Sequence, residues 1–139
     1  MKKILFVCHG NICRSPMAEY ILKSLDDNNN FYVESKATTT EEIGNDIYPP
    51  VKEVLKKHNI SFSKHKARQV VEDDYYKFDE IICMDDENIR DLEYLLPSND
   101  KTRLLSDKEI SDPWYTREFD KCFNEIYFEI KSLISSIEK

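Results

Sequence analysis

The sequence predicts a single-domain α/β fold in three α/β/α layers, with a four-stranded parallel sheet that carries helices on both faces. Two observations predict it. Short apolar runs typical of buried strands alternate with longer amphipathic segments, and no repeat or low-complexity linker interrupts them. The 139 residues are 40% hydrophobic and 34% charged, which suits one soluble globular domain over residues 1–139.

The chain opens with a strand, a loop and a helix. The strand is predicted at residues 4–7, a brief apolar run that is rich in strand-forming side chains. The helix is predicted at residues 15–25, where apolar residues recur at helical spacing. Ser15 is a suitable N-cap, and Pro16 suits the first helical position because its missing N–H breaks no hydrogen bond there.

The loop between this strand and helix starts with Cys8, ends with Arg14 and contains Gly10, one of only two glycines in the chain. Glycine permits a positive φ and a close approach of the backbone to a ligand. The spacing gathers a thiol, a guanidinium, backbone N–H groups and a helix N-terminus around one point. Such a point binds a tetrahedral oxyanion, so a phosphate-binding loop is predicted after strand 1.

The remaining elements follow from shorter signals. In chain order they are a strand at 31–35, a long surface loop at 36–48, a helix at 49–58, a basic patch at 64–69 leading into a short helix at 70–76, a strand at 78–84, a helix at 86–96, a weak strand at 101–105, a loop at 106–116 and an amphipathic helix at 119–137. Ligands bind at the carboxyl ends of parallel strands. We therefore expect Cys8, Asp85 and Asp112 to meet at one edge of the sheet.

The composition argues against several kinds of partner. A net charge of −7 disfavours nucleic acid, because phosphate backbones are bound by clustered Lys and Arg. Apolar runs are far shorter than the roughly 20 residues of a bilayer span, and the one near the N-terminus is too short for a secretory signal. We expect a cytoplasmic protein without a membrane partner. A phosphate ester would be attracted by the local site and not by the field of the whole molecule.

The chain contains four cysteines, Cys8, Cys13, Cys83 and Cys122. They form no C-x-x-C pair and no zinc-ligand spacing with the three histidines, so no metal site is predicted. A reducing cytoplasm favours catalytic or buried thiols over structural disulfides. Cys83 and Cys122 lie in apolar segments and are predicted to fill the core. Cys8 differs, because the guanidinium and helix N-terminus beside it favour a reactive thiolate.

Nucleotide-binding loops also join a strand to a helix and bind phosphate there. They need a lysine before the Ser or Thr and a second glycine, where this chain has Arg14 and Asn11. The dinucleotide fingerprint fails for the same lack of glycines. Nucleotide hydrolysis is therefore not predicted.

Three segments, in order, resemble the low-molecular-weight protein tyrosine phosphatases, and the resemblance runs almost from end to end. Residues 8–16 and 18–19 are similar to the family signature, and they read Cys-His-Gly-Asn-Ile-Cys-Arg-Ser-Pro and Ala-Glu. Residues 65–69, 78–79 and 82–85 resemble the middle of family members. Residues 112–115, Asp-Pro-Trp-Tyr, resemble the acid loop.

The resemblance implies roles for five residues. Cys8 would be the nucleophile and form a cysteinyl-phosphate, and Arg14 would hold two phosphate oxygens. Asp112 would be the general acid and then the general base, although Asp before Pro is also common in simple turns. Ser15 would donate to the Cys8 thiolate, and Asn11 would brace the loop.

This chemistry requires no metal or organic cofactor. We expect a monomer that acts on a phosphotyrosine-containing protein or a small phosphomonoester. Phosphotyrosine is preferred over phosphoserine, because a deep narrow pocket favours a long rigid side chain.

The other predicted substrate-binding residues are His9, Gly10, Ile12, Cys13, Trp114 and Tyr115. Trp114 and Tyr115 can stack on an aromatic ester at the pocket rim, or they can be packing residues. For Cys13 two interpretations stay open. The resemblance implies a reversible disulfide with Cys8 that protects it from over-oxidation, and the alternative is a small residue buried under the loop.

Some positions depart from the family pattern or carry less chemistry. Where some members place an aromatic residue at the pocket wall, this chain has Glu41 and Glu42, which leaves the preferred peptide context open. His9 stands where a small or apolar residue is common. Asp85 is interpreted as a helix cap, residues 64–69 as solvated surface, and His65 as structural.

Three other functions compete with this prediction. Protein-arginine phosphatases are similar, and the resemblance suggests that they carry Thr where this chain has Ile12, whose apolar side chain favours a flat aromatic ring. Arsenate reductases coupled to thioredoxin need a further cysteine pair, but Cys83 and Cys122 are 39 positions apart and predicted to be buried. A non-enzymatic phosphoprotein-binding module would lack the nucleophile or the acid, and both Cys8 and Asp112 are present.

Overall fold

The computed structural model describes residues 1–138 and contains one parallel sheet with the strand order β2-β1-β3-β4. The strands are β1 (Lys2–Cys8), β2 (Phe31–Ala37), β3 (Glu80–Cys83) and β4 (Thr102–Leu104). The helices are α1 (Arg14–Leu25), α2 (Pro49–Lys57), α3 (Asp74–Lys77), α4 (Asp86–Leu95), α5 (Pro113–Thr116) and α6 (Phe119–Glu138). The predicted four-stranded parallel sheet is confirmed.

Side chains of β1 alternate between the two faces of the sheet, and each face is covered by helices. Ile4 and Phe6 are fully buried against apolar residues of α1, α2 and α6. Leu5 and Val7 are fully buried on the other face, together with Leu92 of α4 and other apolar residues. Helices therefore cover both faces, as the three-layer prediction required.

The register of the sheet brings distant loops to the end of β1. Cys8, the last residue of β1, pairs with Ala37 at the end of β2. Val7 pairs with Cys83, the last residue of β3. The segments that follow all three strands therefore start at one edge of the sheet, next to Cys8.

The predicted N-cap of α1 is wrong by two residues. The helix begins at Arg14 after Cys13, which occupies the N-cap without a side-chain capping bond. Ser15, predicted as the N-cap, lies in the first turn, where its hydroxyl contacts Cys8 Sγ and Asn11 Nδ2. The Ser15 hydroxyl therefore forms its hydrogen bonds within the site and does not cap the helix.

The prediction of a surface loop at 36–48 is partly wrong. β2 continues to Ala37, and Lys36 is buried with its ammonium 2.9 Å from the carboxylate of Asp74. A buried lysine needs such a partner, because an uncompensated charge is costly away from water. The predicted helix at 70–76 is the single turn α3, and its first residue is this same Asp74.

Two further segments differ from expectation. The loop predicted at 106–116 contains the short helix α5. The basic patch at 64–69 is not simply solvated surface, because Ala67 is buried and Gln69 forms an isolated bridge with Ala37. The apolar stripe predicted on the last helix is confirmed, since Phe123, Ile126 and Ile130 are buried on α6. No helix within residues 1–138 is long and apolar enough to cross a membrane.

Candidate active site

A pocket of about 120 Å³ opens at the carboxyl end of β1. Its lining residues are Cys8, His9, Gly10, Ile12, Cys13, Arg14, Glu41, Glu42, Asp112, Trp114 and Tyr115. All but two of the predicted site residues are in this lining. The exceptions are Asn11 and Ser15, which are fully buried behind it and contact Cys8.

The sulfur of Cys8 lies at the focus of the loop that joins β1 to α1. The Ser15 hydroxyl is 3.0 Å from Sγ, and the backbone N–H groups of Asn11 and Ser15 donate to Sγ at 3.3 and 3.4 Å. Three donors on one sulfur can stabilise the negative charge that a thiolate nucleophile carries.

Asn11, for which the family resemblance implies a bracing role, contacts Cys8 and Ser15 from within this loop. Its backbone has a φ of 60°, a left-handed conformation that asparagine tolerates better than most residues. The positive φ expected near Gly10 therefore falls on Asn11. Gly10 instead allows a close approach, because a Cβ there would lie 3.2 Å from Glu42 Cγ.

The amide of Asn11 sits at the centre of a buried hydrogen-bond network. Its Nδ2 donates to Ser15 Oγ at 2.8 Å and to Ser35 Oγ at 2.9 Å, which uses both amide hydrogens. Ser35 in turn donates to Glu19 at 2.6 Å. Ser15 accepts from Asn11, so its own hydrogen is free to point at Cys8 Sγ.

Sequence analysis assigned no site role to Ser35 or to Glu19, although Glu19 lies in the segment that resembles the family signature. The available signal was weak, namely a small polar residue near the end of a strand beside β1 and a carboxylate on the inner face of α1. His65 was predicted to be structural, and its Nε2 donates to the Asn11 carbonyl at 2.7 Å. It braces the loop from outside, which no local pattern indicates.

The guanidinium of Arg14 is buried and held at one end. Nη1 donates to Asp85 Oδ2 and to the Ile110 carbonyl, both at 2.8 Å. Nη2 makes only a long contact of 3.5 Å with Asp112, and Nε has no partner among the described residues. The Nε–Nη2 edge is thus available for two oxygens of a tetrahedral anion.

Burial by itself would lower the pKa of Arg14. The negative charges of Cys8, Asp112 and Asp85 outweigh it and raise that pKa above the ordinary value. Arg14 therefore stays fully charged. Asp85 caps α4 as predicted, with Asn88 N–H donating to it at 2.8 Å, and it also anchors Arg14, a second role that the sequence did not indicate.

Asp112 reaches the pocket from the start of α5. Its Oδ1 accepts from the Trp114 N–H at 3.0 Å, and its Oδ2 faces Arg14. The turn that is common where Asp precedes Pro is present, and it presents the carboxylate to the pocket. One oxygen is thus fixed by the backbone, while the other lies beside the charge that would hold the anion.

Two aromatic residues stand at the mouth of the pocket. Trp114 is 44% exposed and Tyr115 is 79% exposed, although both line the pocket. Tyr48, which sequence analysis did not single out, packs against Trp114 with 4.8 Å between ring centroids. The apolar Ile12 lines the pocket and is almost completely buried.

The other thiols differ from Cys8. Cys13 lines the same pocket, and burial, with Cys8 and Asp112 nearby, raises the pKa of its thiol. Cys83 and Cys122 belong to the two apolar cores, where burial likewise raises their pKa values, so the core prediction for both is confirmed. All four cysteines are free thiols.

Comparison with known proteins gives a consistent result. The family model for low molecular weight phosphotyrosine protein phosphatase matches residues 3–139. A low molecular weight phosphotyrosine protein phosphatase of Gallus gallus is 40% identical over 91% of this chain and 87% of its own length. A low molecular weight protein-tyrosine-phosphatase of Bacillus subtilis is 38% identical over 100% of this chain and 97% of its own length.

Solved structures agree with the sequence relatives. The crystal structure of a low molecular weight protein tyrosine phosphatase from Streptococcus pyogenes superimposes with a TM-score of 0.94 at 34% identity. That match covers 98% of this chain and 93% of the other.

Proposed function

Because this chain belongs to the low molecular weight phosphotyrosine protein phosphatase family, we propose that it hydrolyses phosphotyrosine in proteins through a cysteinyl-phosphate. One observation carries the proposal. The Cys8 sulfur, with three hydrogen-bond donors around it, lies in the same pocket as the open edge of Arg14 and the carboxylate of Asp112.

In the first step the Cys8 thiolate attacks phosphorus, and a sulfur–phosphorus bond forms as the bond to the tyrosine oxygen breaks. Asp112 gives its proton to the departing phenolate, so tyrosine leaves as a neutral phenol. In the second step water attacks phosphorus, and Asp112 takes a proton from it. The sulfur–phosphorus bond then breaks, which releases inorganic phosphate and restores the thiolate.

Arg14 and the backbone of the loop supply the electrostatic part of the reaction. The free Nε–Nη2 edge of Arg14 suits two phosphate oxygens, and its other end is fixed by Asp85 and Ile110. A guanidinium that is already positioned needs little reorganisation as charge develops on the transferring phosphoryl group.

The pocket walls favour an aryl ester. Ile12 offers an apolar surface to a flat ring, and Trp114 and Tyr115 can stack on it or on neighbouring residues at the mouth. The nucleophile is only 2% exposed, so a long rigid phosphotyrosine reaches it more easily than a short phosphoserine.

The finer expectations form part of the same proposal. We propose a single-domain monomer that acts in the cytoplasm without a metal or organic cofactor. Four free cysteines suit a reducing compartment. Light scattering on the purified protein tests the monomer, and turnover in the presence of a chelator tests independence from metal.

Steady-state hydrolysis of phosphotyrosine and phosphoarginine peptides tests the activity and the substrate together. The wild type is expected to prefer phosphotyrosine, and Cys8→Ser is expected to abolish turnover of both. Undiminished turnover by Cys8→Ser would end the mechanism. Faster cleavage of phosphoarginine would instead overturn the substrate assignment and leave the nucleophile in place.

A further inference from the structure

The charges around the pocket mouth are mostly negative. Three carboxylates line the pocket, those of Glu41, Glu42 and Asp112, against a single arginine, Arg14. Arg14 already faces Asp85 and Asp112, and the bound phosphate would use its open edge. No lysine or arginine in the lining therefore remains to balance the carboxylates of Glu41 and Glu42.

Local contacts hold both of these carboxylates at the mouth. Glu41 Oε2 lies 2.6 Å from His9 Nε2, while 64% of the Glu41 side chain stays exposed. Glu42 accepts from the amide of Asn45 at 3.0 Å, and its stem packs against Gly10. Within residues 1–138, neither carboxylate forms an ion pair with a lysine or arginine.

Glu41 and Glu42 form an acidic wall at the pocket mouth, and two carboxylates of α4 extend it. One ring nitrogen of His9, one carboxylate oxygen of Glu87 and one of Asp91 all lie within 4.8 Å of one another. Glu87 and Asp91 are four positions apart on one helix face, where like charges repel. Neither forms an ion pair within the described part of the chain. A cation at the mouth would relieve this repulsion.

The exposed rings at the mouth also suit a cation. An arginine or lysine placed over a tryptophan or tyrosine face is attracted by the ring quadrupole. The same rim already contains such a contact, since the Arg117 guanidinium lies 5.5 Å from the ring centroid of Tyr48. Tyr48 in turn packs on Trp114, whose ring remains partly exposed.

We propose that this mouth selects phosphotyrosine that is flanked by lysine or arginine, with Glu41 and Glu42 as the specificity-determining residues. A dianionic phosphate must pass the acidic wall to reach Arg14, and basic neighbours in the substrate offset that repulsion. The inference rests on the proposed function, because it names the sequence context of the same ester.

The test compares two phosphotyrosine peptides of equal length, one with lysines and one with glutamates on both sides of the phosphotyrosine. At low ionic strength, kcat/KM is expected to be at least about threefold higher for the lysine peptide, because rim charges act mainly on association. The ratio is expected to shrink as salt is added. A ratio of one or less in the wild type would overturn the inference.

Variants of Glu41 and Glu42 test whether these carboxylates cause the preference for the lysine peptide. The double variant Glu41→Gln with Glu42→Gln is expected to lower the ratio clearly below the wild-type value, while Glu87 and Asp91 retain part of the preference. Glu93→Gln, which removes an exposed carboxylate elsewhere on α4, is expected to keep the wild-type ratio. Each ratio is taken within one variant, so a general change in turnover cancels. A ratio in the double variant that equals the wild-type ratio overturns the assignment to Glu41 and Glu42.

If the protein does not hydrolyse phosphotyrosine through Cys8, the same measurements give a different result. In that case the wild type would turn over neither peptide nor a small aryl phosphate, or Cys8→Ser would remain active on all of them. Hydrolysis of aryl phosphate by the wild type, with no preference between the peptides, would overturn only the context selection.

Discussion

The side-chain amide of Asn11 donates to Ser15 Oγ at 2.8 Å, and this contact leaves the Ser15 hydroxyl hydrogen free to point at Cys8. A second amide hydrogen goes to Ser35, and the backbone N–H of Arg68 donates to the Asn11 amide oxygen. The position of the nucleophile thus depends on a residue that is fully buried behind the pocket.

Asn11→Ala is expected to lower kcat about tenfold, less than the loss of a direct transition-state donor, because Ser15 is no longer oriented. It should also lower the free energy of unfolding by about 1–3 kcal/mol, since buried hydroxyls lose a partner. Steady-state kinetics and urea unfolding measure both. Asn59→Ala is the matched control, because Asn59 has a similar φ of 59° but lies far along the chain in an exposed turn. Equal kcat losses in both variants would contradict the network.

Asp85→Asn is expected to raise KM about tenfold, because the buried Arg14 loses the charge that fixes one end of its guanidinium. Asparagine is also a good N-cap, so α4 and overall stability should be retained. Asp86→Asn removes the neighbouring exposed carboxylate and should leave KM near wild type. An Asp85→Asn enzyme with wild-type KM would show that Arg14 needs no such anchor.

Asp112→Asn is expected to lower kcat for phosphotyrosine by about 10²- to 10⁴-fold, the usual range for loss of general acid catalysis. Esters of more acidic phenols should lose much less, because their phenolate leaves without a proton. Asparagine can still accept from the Trp114 N–H, which keeps α5 capped. Asp107→Asn in an exposed loop is the control. A uniform loss across all leaving groups would argue against Asp112 as the acid.

Brief peroxide treatment is expected to produce a disulfide between Cys8 and Cys13. Burial raises the pKa of Cys13, so Cys8 should be oxidised first, and its sulfenic acid then condenses with the Cys13 thiol to give the disulfide and water. Mass spectrometry of peptides identifies the bridge. Cys13→Ser should accumulate Cys8 sulfinic acid, whereas Cys122→Ser, another buried thiol, should behave as wild type. Wild-type Cys8 sulfinic acid without a bridge would contradict this protection.

Acid should destabilise the fold in part through Glu34. Desolvation would raise its pKa, but hydrogen bonds from Lys77, Tyr32 and Arg68 lower it from 4.5 to about 2. The unfolded chain therefore binds this proton first, and the stabilisation present above pH 4.5 is lost as the pH falls toward 2.

Urea unfolding at pH 7 and pH 3 tests this contribution. Glu34→Gln should narrow the difference between the two free energies of unfolding. Glu53→Gln is the control, because Glu53 makes only an exposed 4.0 Å pair with Lys56. An unchanged pH dependence in Glu34→Gln would show that this network does not couple folding to acid.

Much of the fold was predictable because its signals are local. The apolar run of β1, the loop from Cys8 to Arg14 and the apolar stripe of α6 are set by neighbouring residues, so periodicity and spacing indicate them. The predicted N-cap of α1 and the predicted end of β2 were wrong because contacts with distant residues determine them. The Ser15 hydroxyl contacts Cys8 and not the helix N-terminus, and the ion pair with Asp74 allows Lys36 to be buried.

By itself, the sequence determined the nucleophile loop, since Cys8 and Arg14 lie close along the chain and the strand and helix beside them form from local patterns. The sequence also predicts that Asp85 and Asp112 reach the same edge of the sheet, but only the tertiary structure decided which of their atoms contact Arg14. The partners of Arg14 are Asp85, Ile110 and Asp112, which are 71, 96 and 98 positions away. Parallel strand pairing brings those segments to one edge of the sheet, and no local pattern records which oxygen will face the guanidinium.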